Sequence, residues 1–229
     1  MKFFIAQLNP IVGDLDGNAK KILDIAGKAY SNSADMVLTP ELSLWGYPPR
    51  DLLLKKNLVE KQYTILDKLS LSIKKKYGNL SITVGIAEKI NDSFFPNLYN
   101  SIVLIESGVW KTIARKIILP TYEVFDEKRY FRSEESVSII HKKIKNKTYK
   151  LGITICEDLW VNEDIQGRGI HKKNPISDLK SKKIDFLLNL SASPYTFKKS
   201  KLRNKVSRFA AKYLQVPLCL LYTSDAADE

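Results

Sequence analysis

The strongest constraint on the fold is the alternation of short apolar runs with longer segments of helical spacing. Residues 2–8 and 35–39 have the apolar content of buried strands, and residues 18–30 between them have the period of an amphipathic helix. A second helix is predicted at residues 52–76, with lysines on its outer face and Asp51 as its N-cap. This order of elements predicts an α/β fold in which helices pack on buried strands.

The second half of the chain continues the pattern and adds hairpins. Further strands are predicted at residues 81–87, 99–106, 109–115, 137–141, 149–155, 184–190 and 216–221, and further helices at residues 175–182 and 200–214. Helices between buried strands, together with hairpins, predict an α/β sandwich with mixed sheets. No repeat or low-complexity linker divides the chain, so we expect one domain over residues 1–222.

The composition is that of an ordinary soluble domain. Hydrophobic residues make up 44% and charged residues 27%, which excludes a chain that is mostly disordered. No apolar run approaches the ~18 residues that a membrane span needs. The chain reaches Asn9 and Pro10 before a signal-peptide core could form, so we expect a cytoplasmic protein with no membrane partner. Cys156 and Cys219 form no CxxC pair, and we expect no metal site.

The net charge of +12 leaves a nucleic-acid-binding module as one alternative function. Lysines are concentrated at residues 74–79, 141–150, 171–173 and 198–205. These runs are scattered and lack the interleaved aromatic residues of a stacking platform, so we interpret them as solvated surface and expect no nucleic-acid partner. Binding that falls steeply with salt and is indifferent to Cys156→Ala would support the alternative.

Three polar residues with complementary chemistry follow directly after predicted strands. They are Glu41, Lys116 and Cys156, and strand ends are where α/β proteins build their sites. A thiol with the ordinary pKa of ~8.5 needs a base or a neighbouring cation to attack at neutral pH. Glu41 can accept the thiol proton, while Lys116 and the backbone N–H of Glu157 can stabilise an oxyanion. The pattern predicts acyl transfer from an amide through a thioester, followed by attack of water. Taken singly, each residue also fits a structural role in packing, on the surface or in a turn.

Longer motifs surround these residues. They are PELSLWGYPPRDLL at 40–53, RKIILPTYEVFDEKRYF at 115–131, GITICEDLW at 152–160 and NLSASPY at 189–195. Together they resemble the glutaminase domains of glutamine-dependent NAD⁺ synthetases, which belong to the nitrilase or carbon–nitrogen hydrolase superfamily. The resemblance covers roughly residues 1–221 and implies a nitrilase-type α-β-β-α sandwich with mixed sheets.

The resemblance also implies roles for individual residues. The Glu, Lys and Cys of the superfamily fall on Glu41, Lys116 and Cys156, and Glu127 resembles the second glutamate that orients the lysine or shares its charge. The glutamine-binding residues that it implies are Tyr122, Glu157, Ser191 and Ser193. This set is compatible with a zwitterionic substrate, because a carboxylate can accept from an ammonium and hydroxyls can donate to a carboxylate. The alternative is that they are turn carboxylates and serine caps of loops.

The implied activity is hydrolysis of glutamine, with the ammonia passed to an ATP-dependent synthetase that converts deamido-NAD⁺ to NAD⁺. The hydrolysis needs no cofactor. ATP and Mg²⁺ belong to the synthetase domain, whose Ser-Gly-Gly phosphate loop this sequence lacks. The resemblance therefore implies glutamine as substrate, a fused synthetase domain as partner and a homo-oligomer at full length. A free-standing amidase that acts on another small amide is the alternative enzyme.

The last residues of the chain differ from the strand before them. Residues 223–229 read TSDAADE and have no apolar periodicity. We expect a disordered or artefactual tail here and a sheet that is incomplete at its C-terminal end.

Overall fold

The protein, seen in a computed structural model, consists of two mixed β-sheets with helices outside them. The structure describes residues 1–92, 94–122, 125–161, 173–192 and 199–223. The strands are β1 (Phe3–Ile5), β2 (Met36–Leu38), β3 (Ser81–Lys89), β4 (Leu98–Glu106), β5 (Val109–Arg115), β6 (Ser138–Ile144), β7 (Lys147–Ile155), β8 (Phe186–Leu190) and β9 (Leu218–Leu221). The α-helices are α1 (Leu15–Ser31), α2 (Lys56–Tyr77), α3 (Pro175–Lys180) and α4 (Lys199–Leu214). None of the helices that the structure describes has the length and apolar content to cross a membrane.

Each sheet combines parallel and antiparallel strands. The first has the order β1-β2-β3-β4-β5, in which β1, β2 and β3 are parallel and the pairs β3/β4 and β4/β5 are antiparallel. The second has the order β6-β7-β8-β9, in which only β6 runs antiparallel to its neighbour. Because successive side chains point to opposite faces, Val37 packs with the helices while Met36 and Leu38 face the other sheet. Both faces of β2 are therefore apolar.

Three apolar clusters separate four layers. The first joins α1 and α2 to the first sheet, through residues such as Ile22 and Leu66. The second fills the space between the sheets, where Leu38 and Ile153 are buried. The third joins the second sheet to α3 and α4, as at Leu179. The predicted α-β-β-α sandwich with mixed sheets is confirmed. Of the predicted tail at 223–229, only residue 223 lies within the described residues.

The prediction for the start of the long helix is wrong. Arg50–Leu54 forms a separate 3₁₀ turn, and α2 begins after it with Lys55 at the N-cap position and no side-chain cap. Asp51 instead accepts a hydrogen bond from the hydroxyl of Tyr130 at 2.6 Å. Its carboxylate is used for a tertiary contact, because the 3₁₀ turn separates it from the first free N–H groups of α2.

Candidate active site

Glu41 lies in the turn after β2, and Gly85 of β3 makes room for that turn. A Cβ atom at Gly85 would lie 2.2 Å from the backbone nitrogen of Leu42. The backbone N–H of Gly85 also donates to the hydroxyl of Ser43 at 2.9 Å, which fixes the turn on the strand. Only glycine permits this approach. The side chain of Glu41 is fully buried as a result.

The ammonium of Lys116 lies between two carboxylates. Its Nζ donates to Oε1 of Glu41 at 2.7 Å and to Oε1 of Glu127 at 2.6 Å, and the residue is fully buried. Burial alone lowers the pKa of Lys116, but the charges of Glu127 and Glu41 outweigh it and hold the pKa well above its ordinary value. Lys116 is therefore a permanent cation inside the protein.

The carboxylate of Glu41 is held from both sheets. Besides Lys116, its Oε1 accepts from Nδ2 of Asn100 in β4 at 2.8 Å. Its Oε2 accepts from the backbone N–H of Ala192, just beyond β8, at 2.8 Å. Asn100 is not recognisable as a site residue in the sequence, because it lies inside an apolar strand and no local pattern marks it. These contacts fix both oxygens of Glu41.

Glu127 is the second carboxylate on Lys116 and is held by Tyr47. The hydroxyl of Tyr47 donates to Oε1 of Glu127 at 2.7 Å. Burial raises the pKa of Glu127 to about 7, against the opposing effect of the Lys116 charge. Burial and the charge of Glu127 also raise the pKa of Tyr47 well above its ordinary value. Both side chains line a cavity of about 320 Å³ together with Arg50 and Tyr130.

Cys156 opens a 3₁₀ turn directly after β7. Its φ of +45° is sparsely populated for any residue other than glycine. Burial and the negative charge of Glu41 raise the pKa of the thiol well above its ordinary value, although Lys116 lowers it. The resting residue is therefore a neutral thiol, and it needs a base when it attacks.

Asn189 of β8 and Ser191, which directly follows β8, support this turn. Nδ2 of Asn189 donates to the carbonyl oxygen of Cys156 at 3.3 Å and to Oγ1 of Thr154 at 3.0 Å. The hydroxyl of Ser191 donates to Oδ1 of Asn189 at 2.7 Å. The structure thus connects Ser191 to the Cys156 turn through Asn189. Its predicted contact with glutamine stays a prediction.

Two other residues predicted to bind glutamine, Tyr122 and Glu157, lie in contact with each other. The hydroxyl of Tyr122 donates to Oε2 of Glu157 at 2.8 Å, and Glu157 directly follows Cys156. The structure therefore brings Tyr122 and Glu157 together beside the thiol. Ser193 lies outside the described residues. The binding roles of all three stay predictions.

The side chains of the candidate site are of types that suit proton transfer and nucleophilic attack. Within the described ranges, no group of three His, Cys, Asp or Glu side chains is arranged to hold a metal ion. The site combines a neutral thiol, a permanent cation and two buried carboxylates, which come from the segments that follow β2, β5 and β7. Such a set can deprotonate a thiol and stabilise an oxyanion.

A comparison with protein families identifies the chain. The sequence model of the carbon–nitrogen hydrolases matches residues 5–166. The chain belongs to the carbon–nitrogen hydrolase family. The matched range contains Glu41, Lys116, Glu127 and Cys156, and the resemblance that the motifs carry is confirmed at the level of the family.

Similar proteins include glutamine-dependent NAD⁺ synthetases. This carbon–nitrogen hydrolase is 42% identical over 215 residues to the synthetase of Synechocystis sp., which corresponds to 93% of this chain and 38% of the relative. The solved synthetase of Acinetobacter baumannii in complex with ADP superposes with a TM-score of 0.80 at 30% identity, over 97% of this chain and 38% of that one. The chain thus spans about 38% of the length of these relatives.

An amidase from Nesterenkonia sp. has the same fold. It superposes on this carbon–nitrogen hydrolase with a TM-score of 0.73 over 97% of this chain and 76% of that chain. The sequence identity is 16%, so this likeness supports the architecture alone.

Proposed function

We propose that this carbon–nitrogen hydrolase hydrolyses glutamine to glutamate and ammonia through a thioester at Cys156. The observation that carries the proposal is the buried thiol beside a fixed carboxylate and a permanent cation. The 42% identity to a glutamine-dependent NAD⁺ synthetase supports glutamine as the amide.

In the first half of the proposed reaction, the amide nitrogen leaves. Glu41 takes the thiol proton of Cys156, and the sulfur attacks the amide carbon of glutamine. The negative charge that develops on the amide oxygen is stabilised by the ammonium of Lys116 and by the backbone N–H of Glu157. Collapse of this intermediate breaks the C–N bond, and Glu41 returns the proton to the departing ammonia.

In the second half of the proposed reaction, an oxygen from water displaces the sulfur of Cys156 from the acyl carbon. Glu41 removes a proton from water, and the resulting hydroxide oxygen attacks the thioester carbon. The C–S bond then breaks to release glutamate, and Glu41 returns the proton to the sulfur, which restores the thiol. Glu127 and Glu41 keep the Lys116 ammonium charged and in place during both halves. The fixed hydrogen bonds of Glu41 favour this role, because the base need not reorganise between the two steps.

Recognition of glutamine is proposed to involve the residues next to the nucleophile. The carboxylate of Glu157, held by Tyr122, would accept from the α-ammonium group. Ser191 and Ser193 would donate to the α-carboxylate. No cofactor takes part in the proposed hydrolysis.

The ammonia is proposed to serve the amidation of deamido-NAD⁺ to NAD⁺ in the cytoplasm. The support is that the synthetase of Synechocystis sp. is named as a glutamine-dependent NAD⁺ synthetase and is longer than this chain, which covers 38% of it. We propose a fused synthetase domain as the partner, with ATP and Mg²⁺ bound by that domain, and a homo-oligomer at full length.

Ammonia release from glutamine tests the proposed function. Cys156→Ala should reduce the rate by about 10⁴-fold, because the loss of one member of a catalytic group that acts as a unit removes most of the effect of the whole group. The matched control is Cys219→Ala, which removes the other thiol of the chain and should leave the rate unchanged. The parent rate in Cys156→Ala would contradict the proposal. Faster turnover of another small amide than of glutamine would favour the alternative amidase.

A further inference from the structure

A buried carboxylate two residues after the thiol is unused by the proposed reaction. Asp158 is 1% exposed and accepts three backbone hydrogen bonds. Its Oδ1 accepts from Ile117 at 3.1 Å and from Ile118 at 2.8 Å, and its Oδ2 accepts from Ile155 at 3.0 Å. Burial raises the pKa of Asp158 to about 6, and these three donors act in the opposite direction.

The three donors belong to two separate catalytic segments. Ile117 and Ile118 directly follow Lys116, beyond the end of β5 in the first sheet. Ile155 ends β7 in the second sheet and directly precedes Cys156. The Asp158 carboxylate therefore connects the segment that carries Lys116 to the segment that carries Cys156, across the gap between the two sheets.

The Cys156 turn needs such a tie because its conformation is strained. The φ of +45° at Cys156 is held against its intrinsic cost by contacts from outside the residue. A carboxylate suits three N–H donors, since it has acceptor sites only. An amide in its place would turn an NH₂ group toward a backbone N–H and lose at least one of the three bonds.

We propose that Asp158 is a positioning residue that holds the Cys156 thiol and the Lys116 ammonium in the relative position that acyl transfer needs. This inference rests on the proposed function and adds to it a residue that touches neither substrate nor reacting atoms. Its expected signature is a loss in kcat, because a displacement of about 1 Å between reacting groups costs about 100-fold in rate.

The experiment compares Asp158→Asn and Asp158→Glu with a matched control, Asp185→Asn. Asp185 also binds a backbone N–H across β7 and β8, that of Lys150 at 2.7 Å, but it lies at the opposite end of these strands. Glutamine kinetics are measured for each variant, together with its melting temperature. The alkylation of Cys156 by 2-chloroacetamide, a small amide that carries a thiol-reactive carbon, is followed in parallel by peptide mass spectrometry.

We expect Asp158→Asn to lower kcat about 100-fold and to change KM less than about threefold, and Asp185→Asn to change neither. Alkylation of Cys156 should slow about tenfold in Asp158→Asn and should not slow in Asp185→Asn. Asp158→Glu keeps the charge and the acceptors but moves them by one methylene. It tests the same point if the amide variant does not fold, and it should also lower kcat with KM nearly unchanged.

A folded Asp158 variant with the parent kcat and alkylation rate would overturn the proposal. Equal losses in the Asp158 and Asp185 variants, in step with their melting temperatures, would also overturn it, because the role would then be structural only. Failure of the proposed function looks different: the unsubstituted protein would release no ammonia from glutamine. The alkylation rates would still decide whether Asp158 positions the thiol.

Discussion

Two buried lysines stand at opposite ends of the sandwich, and each donates to a carboxylate from another segment of the chain. Lys116 contacts Glu41 and Glu127 beyond the ends of β2 and β5, and it is fully buried. Lys142 of β6 donates to Glu106 at the end of β4 and to Ser81 at the start of β3, where the side chain of Glu106 is 38% exposed. The two lysines differ in burial and in the number of carboxylates that they face.

That difference separates a site from a structural ion pair. At Glu106, burial raises the pKa, but the hydrogen bonds from Lys142 and Ser81 and the charge of Lys142 together outweigh it and leave the pKa lowered. At Glu127 the same competition ends the other way, with a pKa raised to about 7, because one ammonium serves two carboxylates in a fully buried position. A buried group in which carboxylates outnumber ammonium groups lowers the stability of the fold, and such groups are typical of functional sites.

The largest expected contrast is between Lys116→Met and Lys142→Met. Both changes remove an ammonium and keep a side chain of similar length. Lys116→Met should lower kcat/KM for glutamine by about 10³-fold, because it removes a stabilising charge from the oxyanion. Lys142→Met should leave it unchanged, since that end of the sandwich holds no reacting group. Ammonia release measures both rates. Similar losses of kcat/KM in the two variants would contradict the distinction between a catalytic Lys116 and a structural Lys142.

A second contrast concerns Tyr47→Phe, which removes the hydroxyl that donates to Glu127. A hydrogen bond to a charged group contributes about 1.5 kcal/mol, so kcat should fall about tenfold. Tyr63→Phe is the control, because its hydroxyl accepts a hydrogen bond from the backbone of Lys89 away from the thiol. An unchanged kcat in Tyr47→Phe would show that Glu127 needs no such support.

The pH dependence of stability should differ between the two glutamates. Glu127 titrates near 7 in the fold and near 4.3 in the unfolded chain, so its contribution is present below about pH 4 and is lost as the pH rises through 7. Urea unfolding should show that Glu127→Gln reduces the fall in stability between pH 5 and 8 by up to about 3 kcal/mol. Glu106 has a lowered pKa, so its contribution is lost only in acid, and Glu106→Gln should not change the slope in this range. A steeper fall in Glu127→Gln would contradict the assignment.

The smallest effect is expected for the ion pair between Lys142 and Glu106 itself. Because the carboxylate is partly exposed, Lys142→Met should lower the free energy of unfolding by no more than about 1 kcal/mol. The loss should shrink at high salt, where partly exposed charges are screened. A larger, salt-independent loss would mean that the Lys142–Glu106 pair contributes to stability as a fully buried ion pair does, and would contradict this prediction.

The sequence predicts the site residues that directly follow strands. Glu41, Lys116 and Cys156 are visible because each stands at the point where an apolar run stops, and strand order in a sandwich brings such points together. Asn100 and Asp158 are not visible in this way. Asn100 lies inside β4, and the role of Asp158 depends on N–H groups about 40 positions away in the chain. Contacts across layers leave no local period in the sequence.

The same limit explains the wrong prediction at the start of α2. The apolar spacing of residues 52–76 is helical, and it correctly predicts a helix on the first sheet. Periodicity does not distinguish a 3₁₀ turn from the first turn of an α-helix, and it does not show that Asp51 is bound by Tyr130 from a distant segment. The layers and their order follow from the pattern, whereas exact ends follow from tertiary contacts.

The most direct test of the account is labelling by a chloromethyl ketone analogue of glutamine, with peptide mapping and residual activity measured on the same samples. We predict that one label per chain enters Cys156, that Cys219 stays unlabelled, and that glutaminase activity falls in proportion to the label. Glutamine should slow the labelling, because it occupies the same site. Full labelling of Cys156 with glutaminase activity retained would contradict the central claim that this thiol is the nucleophile.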